Sequence, residues 1–163
     1  MNYLLDANIF IQAKNLHYGF DFCPAFWQWL IENNKFGKVF SIEKIGDEIN
    51  AGDDELAEWA KKLGTDFFLQ PDQKVADQFN IVSSWATNQN YDPVAINTFL
   101  QVADYYLICH ALGHELILVT HEIPSNSPKK IKIPNACVGL KIKFMSPYEM
   151  LRHEKARFVL GAK

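Results

Sequence analysis

Tyr3-Leu4-Leu5-Asp6-Ala7-Asn8-Ile9-Phe10-Ile11 is the stretch on which the reading of the chain turns. Tyr3, Leu4 and Leu5 form a short apolar run of the kind that makes a buried strand, and Ile9, Phe10 and Ile11 open a second apolar segment that reads as the following helix. Asp6 sits at the junction. In an open α/β sheet the carboxyl ends of the strands line the ligand crevice, so Asp6 is expected to face it and Asn8 to cap the helix. The plainer role for Asp6 is that of helix cap, and this stretch alone leaves both roles open.

With 163 residues the chain fits one domain, residues 1–163, and is long enough to bury a sizeable core. Hydrophobic residues make up 48% and charged residues 21%, far from the composition of a disordered chain. No run approaches the roughly 18 apolar residues of a membrane span, and the first residues lack the basic and apolar regions of a signal peptide, so a cytoplasmic protein is expected. Cys23, Cys109 and Cys137 are odd in number and form no Cys-x-x-Cys pair, which argues against a disulfide framework or a zinc ribbon and for reduced thiols.

The net charge of −3 conceals an asymmetry. Residues 1–124 carry 7 Lys and Arg against 17 Asp and Glu, whereas residues 125–163 carry 9 basic residues against 2 acidic ones. An acidic body with a basic C-terminal segment suits a protein that holds cations at a site and contacts phosphate beside it; uneven surface charge is the plainer explanation.

Along the chain, Pro24 is expected to start a helix that Gly37 ends, with Phe26, Trp29 and Leu30 on its core face. Trp27 falls off that face, marking either a partner surface or a second packing face. Val39-Phe40-Ser41-Ile42 reads as a strand with Ser41 capping the next helix, on which Ile42, Ile45 and Ile49 share one side and Glu48 lies at its edge. A further helix runs through Leu56, Trp59, Ala60 and Leu63 to Gly64, and Phe67-Phe68-Leu69 is a strand or a buried connector. Pro71 or Asp72 starts one long helical pattern through Val75, Phe79, Val82 and Trp85. After Asp92-Pro93 comes a helix that is apolar nearly all round, in which Asp104 is an isolated carboxylate and which Gly113 is expected to end. Burying Asp104 unpaired would cost several kcal/mol, so it calls for a hydrogen-bond network, a basic partner or a cation. Leu116 to Thr120 is the clearest strand and ends at His121-Glu122. Ala136-Cys137-Val138 and Ile142 to Met145 read as closing strands, and Ser146-Pro147 caps a last helix from Tyr148 to about Arg157.

Asp6, Glu48, Asp104 and Glu122 thus fall, in order, where a parallel sheet's carboxyl edge could gather them. This pattern resembles the PIN-domain nucleases. The matching stretches are Leu4-Leu5-Asp6-Ala7-Asn8, Asp47-Glu48-Ile49, Ala103-Asp104-Tyr105-Tyr106-Leu107-Ile108 and Val119-Thr120-His121-Glu122, and the resemblance spans Tyr3 to about Met145. It implies a single PIN-like domain: an α/β, three-layer α/β/α sandwich around a mostly parallel sheet of four to five strands. The chain departs from the family at the fourth motif, where Glu122 stands in place of the usual aspartate, and at Tyr105 and Tyr106, where smaller residues are common. A less studied bacterial branch fits these departures.

The resemblance implies a metal-dependent endoribonuclease with Mg²⁺ or Mn²⁺ as cofactor. Asp6, Glu48 and Asp104 would hold the main metal, Glu122 a second metal or the attacking water, and Asn8 and Thr120 would be supporting residues. It implies RNA as substrate and, from small bacterial PIN-like proteins, the toxin of a toxin-antitoxin pair, with an antitoxin protein and a second copy of the chain as candidate partners. A non-catalytic PIN-like module that binds RNA or protein is the alternative. Other constellations carry less. His110 and His114 have the spacing of a helical zinc pair, but a helix ending at Gly113 separates them. His121 is a bystander or an acid beside Glu122. Cys109-His110 is adjacency without a nucleophile's geometry, and Asn8 occupies the place where a haloacid-dehalogenase phosphatase needs its second aspartate.

Overall fold

In the computed structural model, which describes residues 1–161, the first strand lies at the centre of the sheet. Strands β1 (Tyr3–Leu5), β2 (Val39–Ile42), β3 (Phe68–Leu69), β4 (Ile117–Val119) and β5 (Phe144–Met145) are ordered β3-β2-β1-β4-β5, and every pairing is parallel. Every residue of β1 and of β4 is buried, as expected for strands covered by helices on both faces of a three-layer α/β/α sandwich. The chain leaves β1 toward β2 on one side and returns to β4 on the other. The carboxyl ends of β1 and β4 therefore meet at the switch point of the sheet, with Leu5 opposite Val119.

The helices are α1 (Ala7–Gln12), α2 (Pro24–Lys35), α3 (Glu43–Asn50), α4 (Glu55–Lys61), α5 (Gln73–Ala76), α6 (Phe79–Thr87), α7 (Pro93–Gln101), α8 (Ala103–His114), α9 (Ile133–Leu140) and α10 (Pro147–His153). A π-helical turn, Ala13–His17, continues α1. Among the described residues no helix is long and apolar enough to cross a membrane.

Several sequence expectations hold. Phe68–Leu69 is a strand rather than only a connector. Pro24 opens α2, Asp104 falls in the first turn of α8, and Ser146 caps α10 in a reciprocal capping box with Glu149. Cys109 and Cys137 are buried free thiols and Cys23 is a half-buried one; burial pushes the two inner thiols up to about 12.

Others are corrected. Ala136-Cys137-Val138 is not a strand but the middle of α9, because Pro134 pre-sets its first turn and Ile133, Ala136 and Cys137 bury one helical face. The pattern after Pro71 is not one helix: Asp72 caps the short α5 through its side chain on the Val75 amide at 3.1 Å, and the chain restarts as α6. Ser41 caps nothing; it lies inside β2 and its hydroxyl donates to the Leu5 carbonyl at 2.9 Å, tying the two strands across the sheet. Trp27 is only 2% exposed and its indole donates to the Tyr18 carbonyl at 2.7 Å, so it is core rather than a partner surface. The last helix ends at His153, short of Arg157. Lys163, the last cation of the basic segment, lies outside the described residues.

Gly113 does not end α8. The helix runs on to His114 and stops at Glu115, whose φ of +54° is left-handed. Gly113 is there for another reason: a Cβ on it would stand 2.7 Å from the carbonyl oxygen of Lys74, part of the backbone of α5. Inside a helix Gly→Ala is worth up to about 1 kcal/mol in propensity, whereas overpacking against backbone costs about 1–3 kcal/mol. Gly113→Ala is therefore expected to lower the stability measured by urea unfolding, and a gain would show that α5 moves aside freely.

Candidate functional site

The site begins with one buried carboxyl. Asp6 is 3% exposed, and its amide donates to the Val119 carbonyl at 3.0 Å, extending the β1–β4 ladder one residue past the strand. Although it occupies the position before α1, its side chain caps nothing. Its Oδ2 instead accepts the Thr120 hydroxyl at 2.9 Å. The same Thr120 oxygen accepts the Glu122 amide at 3.0 Å, so one hydroxyl fixes Asp6 and the turn that carries Glu122. Thr120 is held in turn by its amide on the Met145 carbonyl at 3.0 Å.

Asp104 arrives from the other direction. Val102 is extended (φ −105°, ψ 168°), which breaks α7 from α8 and brings Asp104 into the first turn of α8, where a helix favours an acid. Glu48 is exposed on α3, one turn after Lys44, whose ammonium lies 4.2 Å from the centroid of the Tyr106 ring on α8. Tyr106 thereby ties α3 to the helix that bears Asp104. Glu122 is half-buried, and its Oε2 is buried without a hydrogen-bond partner among the described residues.

Burial, then the charge of Asp104, pushes the Asp6 carboxyl up to about 7; the Thr120 hydrogen bond opposes this and Glu122 adds to it. Burial and the charge of Glu122 raise Asp104 to about 6, with Lys130 and Lys132 pulling it down and Glu48 pushing it up. Partial desolvation raises Glu48 as well, against Lys44. The four predicted carboxylates thus share one electrostatic neighbourhood at the carboxyl edge of the sheet, with Asp6, Asp104 and Glu122 as its inner members and Glu48 joined through Asp104. Asn8 does not cap α1; it is the exposed second residue of that helix, and its side chain hydrogen-bonds to none of the described residues.

The donor chemistry fits a hard divalent cation. Every inner ligand candidate is a carboxylate, two carboxyls are held above their ordinary range first by burial and then by neighbouring acids, and Glu122 Oε2 lacks a partner. As they stand, no three His, Cys, Asp or Glu side chains among the described residues are gathered closely enough to hold an ion.

Two features were not legible in the sequence. The charge count signalled a basic segment but not its layout: Lys130 and Lys132 come within the field of Asp104, while Lys141 and Lys143 border a cleft with Met1, Asn2 and Ile117 at the opposite end of β4. His17, from the π-turn, accepts or donates a hydrogen bond with the Tyr148 hydroxyl at 3.0 Å and lies 5.6 Å, ring to ring, from His121. Burial and His17 keep His121 below its ordinary pKa, which leaves it neutral at pH 7 and weak as an anion ligand.

His110 and His114 do share α8, against the expectation that Gly113 separates them. They stand at the end of the helix remote from Asp104. His114 Nε2 meets Asp72 Oδ2 at 2.8 Å, and His110, 1% exposed, is pushed down to about 4 mainly by burial. They are no part of the carboxylate site.

A family model described as a domain of unknown function (DUF4411) matches residues 3–158. No curated protein and no solved structure matches the chain.

A carboxyl whose folded pKa lies above its unfolded value binds its proton more tightly in the folded state. That stabilisation is complete below the unfolded value of 3.8 and is lost as the pH rises through the folded values of about 6 and about 7. In metal-free buffer the contribution of these two acids to stability is therefore expected to fall between pH 4 and pH 8, while His110, held down to about 4, contributes in the opposite sense. Asp6→Asn should flatten that fall and exceed wild type at pH 8 by more than about 1 kcal/mol in urea unfolding, one pKa unit being worth about 1.4 kcal/mol. A pH dependence left unchanged by Asp6→Asn would contradict the burial and repulsion described.

Proposed function

We propose that this chain, which belongs to the family described as a domain of unknown function (DUF4411), is a divalent-metal-dependent endoribonuclease with a PIN-like site. The observation that carries the reading is the juxtaposition of opposite charges. An acidic cluster of Asp6, Asp104 and Glu122 would repel a polyanion, yet Lys130 and Lys132 from the basic segment stand in the field of Asp104. That pairing suits a site that takes cations on its carboxylates and RNA phosphates on its lysines. The resemblance of the four acidic motifs to PIN-domain nucleases supports the same chemistry.

Each residue has a task that follows from its setting. Asp6, fixed by Thr120, and Asp104, fixed at the start of α8, would hold Mg²⁺ or Mn²⁺, with Glu48 at the outer side. The bound cation would polarise the phosphoryl group and acidify water for attack on phosphorus. Glu122 Oε2, buried and unpartnered, is the atom available to take a proton from that water. Lys130 and Lys132 would bind the RNA backbone on either side of the cleaved phosphate. An antitoxin that masks these lysines is the partner this reading allows.

The experiment is cleavage of labelled single-stranded RNA with Mn²⁺ or Mg²⁺. Wild type should cleave and stop in EDTA. Asp6→Asn and Asp104→Asn should lose at least about 100-fold, and Thr120→Val, which removes the hydroxyl behind Asp6, about 10- to 100-fold. Activity that survives EDTA, or equal activity in all four proteins, would refute the reading. As a readout independent of turnover, Mn²⁺ at 100 times its Kd should stabilise wild type by about 2.7 kcal/mol and leave Asp104→Asn nearly unaffected. Failure of Mn²⁺ to bind at all would favour the non-catalytic binding module.

A further inference from the structure

Beside the carboxylate site lies a polar cleft of about 350 Å³. Gln89, Asn90 and Tyr91 form one wall, from the turn between α6 and α7, and Asn126, Ser127 and Asn135 form the other. Chain length fixes how near it is to the carboxylates. Ser125, which also lines the cleft, is three residues from Glu122, a reach of at most about 10 Å, and Pro128 is two residues from Lys130, at most about 7 Å. The near edges of the cleft are therefore tethered within about one or two nucleotide lengths of Glu122 and Lys130.

The walls are built and braced. The Asn135 carboxamide holds Ser125 at both ends, accepting its amide at 3.0 Å and donating to its carbonyl at 2.8 Å. The Asp92 amide donates to the Pro128 carbonyl at 3.0 Å, which clamps one wall to the other. Ser127 and Lys129 amides donate to the hydroxyls of Ser125 and Ser127 at 3.2 and 3.3 Å. Tyr91 is half-buried against Trp85, at 6.1 Å between ring centroids, and Trp85 lies so close over Gly139 of α9 that a Cβ there would collide with the indole.

Against this braced frame, the carboxamides of Gln89, Asn90 and Asn126 hydrogen-bond to none of the described residues, and Asn90 is held at φ +59°. Each offers donors and an acceptor side by side, the pattern that reads the edge of a base. Tyr91 supplies an aromatic platform of the kind on which unpaired RNA bases stack. Lys129 and Lys130, next along the loop, supply positive charge for the sugar-phosphate backbone.

We propose that this cleft is a nucleobase subsite, in which an unpaired base next to the cleaved phosphate stacks on Tyr91 and is read by Gln89, Asn90 and Asn126. The inference rests on the ribonuclease reading for its substrate class and adds a source of sequence preference to it.

Binding without turnover separates the two. The Asp104→Asn protein in EDTA is titrated against fluorescein-labelled single-stranded oligomers of A, C, G-containing mixed sequence and U, and against an abasic oligomer of equal length. The intact cleft should prefer one base-bearing oligomer over the abasic one by about ten-fold, the scale of one stacked base. Adding Tyr91→Leu or Asn126→Ala should remove that preference while leaving abasic affinity unchanged, and Tyr91→Phe should keep most of it. Asn126 is exposed on a loop, so its variant reports on the cleft even where Tyr91→Leu unfolds the protein. Oligomers bound no better than abasic chain, or a preference untouched by Asn126→Ala and by a folded Tyr91→Leu, would overturn the subsite. Base-selective binding by a protein that shows no metal-dependent cleavage would keep the subsite and refute the nuclease.

Discussion

A single hydroxyl at the carboxyl edge of the sheet ties the fold to the site. Thr120 donates to Asp6 Oδ2 at 2.9 Å and accepts the Glu122 amide at 3.0 Å, while its own amide is held by Met145. β1 and β4 are the two strands between which the sheet changes direction of winding, so the bond closes the crevice where the topology opens it. It also satisfies one oxygen of an acid that is almost wholly out of water. Without that partner Asp6 would lose the larger of the two hydrogen-bond contributions that offset its burial and the repulsion of Asp104.

The site is destabilised by design of its charges. Asp6 and Asp104 are raised to about 7 and about 6 chiefly by burial, then Asp6 by Asp104 and Glu122, and Asp104 by Glu122 and Glu48. Hydrophobic strands and an apolar α8 hold these acids together because the core they belong to is large and continuous. Burial and repulsion of this kind are a cost to the folded state at neutral pH that protonation of either acid relieves.

The fold class and the acids that cluster at the sheet edge were legible along the chain. Continuous apolar runs made β1 and β4 readable, and the lone Asp104 in an apolar helix stood out because a buried acid needs a reason. Short elements were harder. Ala136-Cys137-Val138 is apolar enough for either a strand or a helix, and its helical state follows from Pro134 and from the neighbours it buries against. Gly113 reads as a stop signal in any one-dimensional scheme, but it is a close-approach residue, and only the backbone of α5 reveals that.

The sequence by itself determined the parallel α/β class, the four acidic positions and the presence of a basic segment, since these depend on residue type and on spacing within each element. Tertiary structure decided which charges meet. Lys130 and Lys132 come to Asp104 and Lys141 and Lys143 do not; His17 finds Tyr148 across 131 residues of chain; Asn135 braces the cleft beside the site. Such contacts are set by how strands order in the sheet and how loops fold back over its edge, and no local pattern encodes a distance between residues so far apart in the chain.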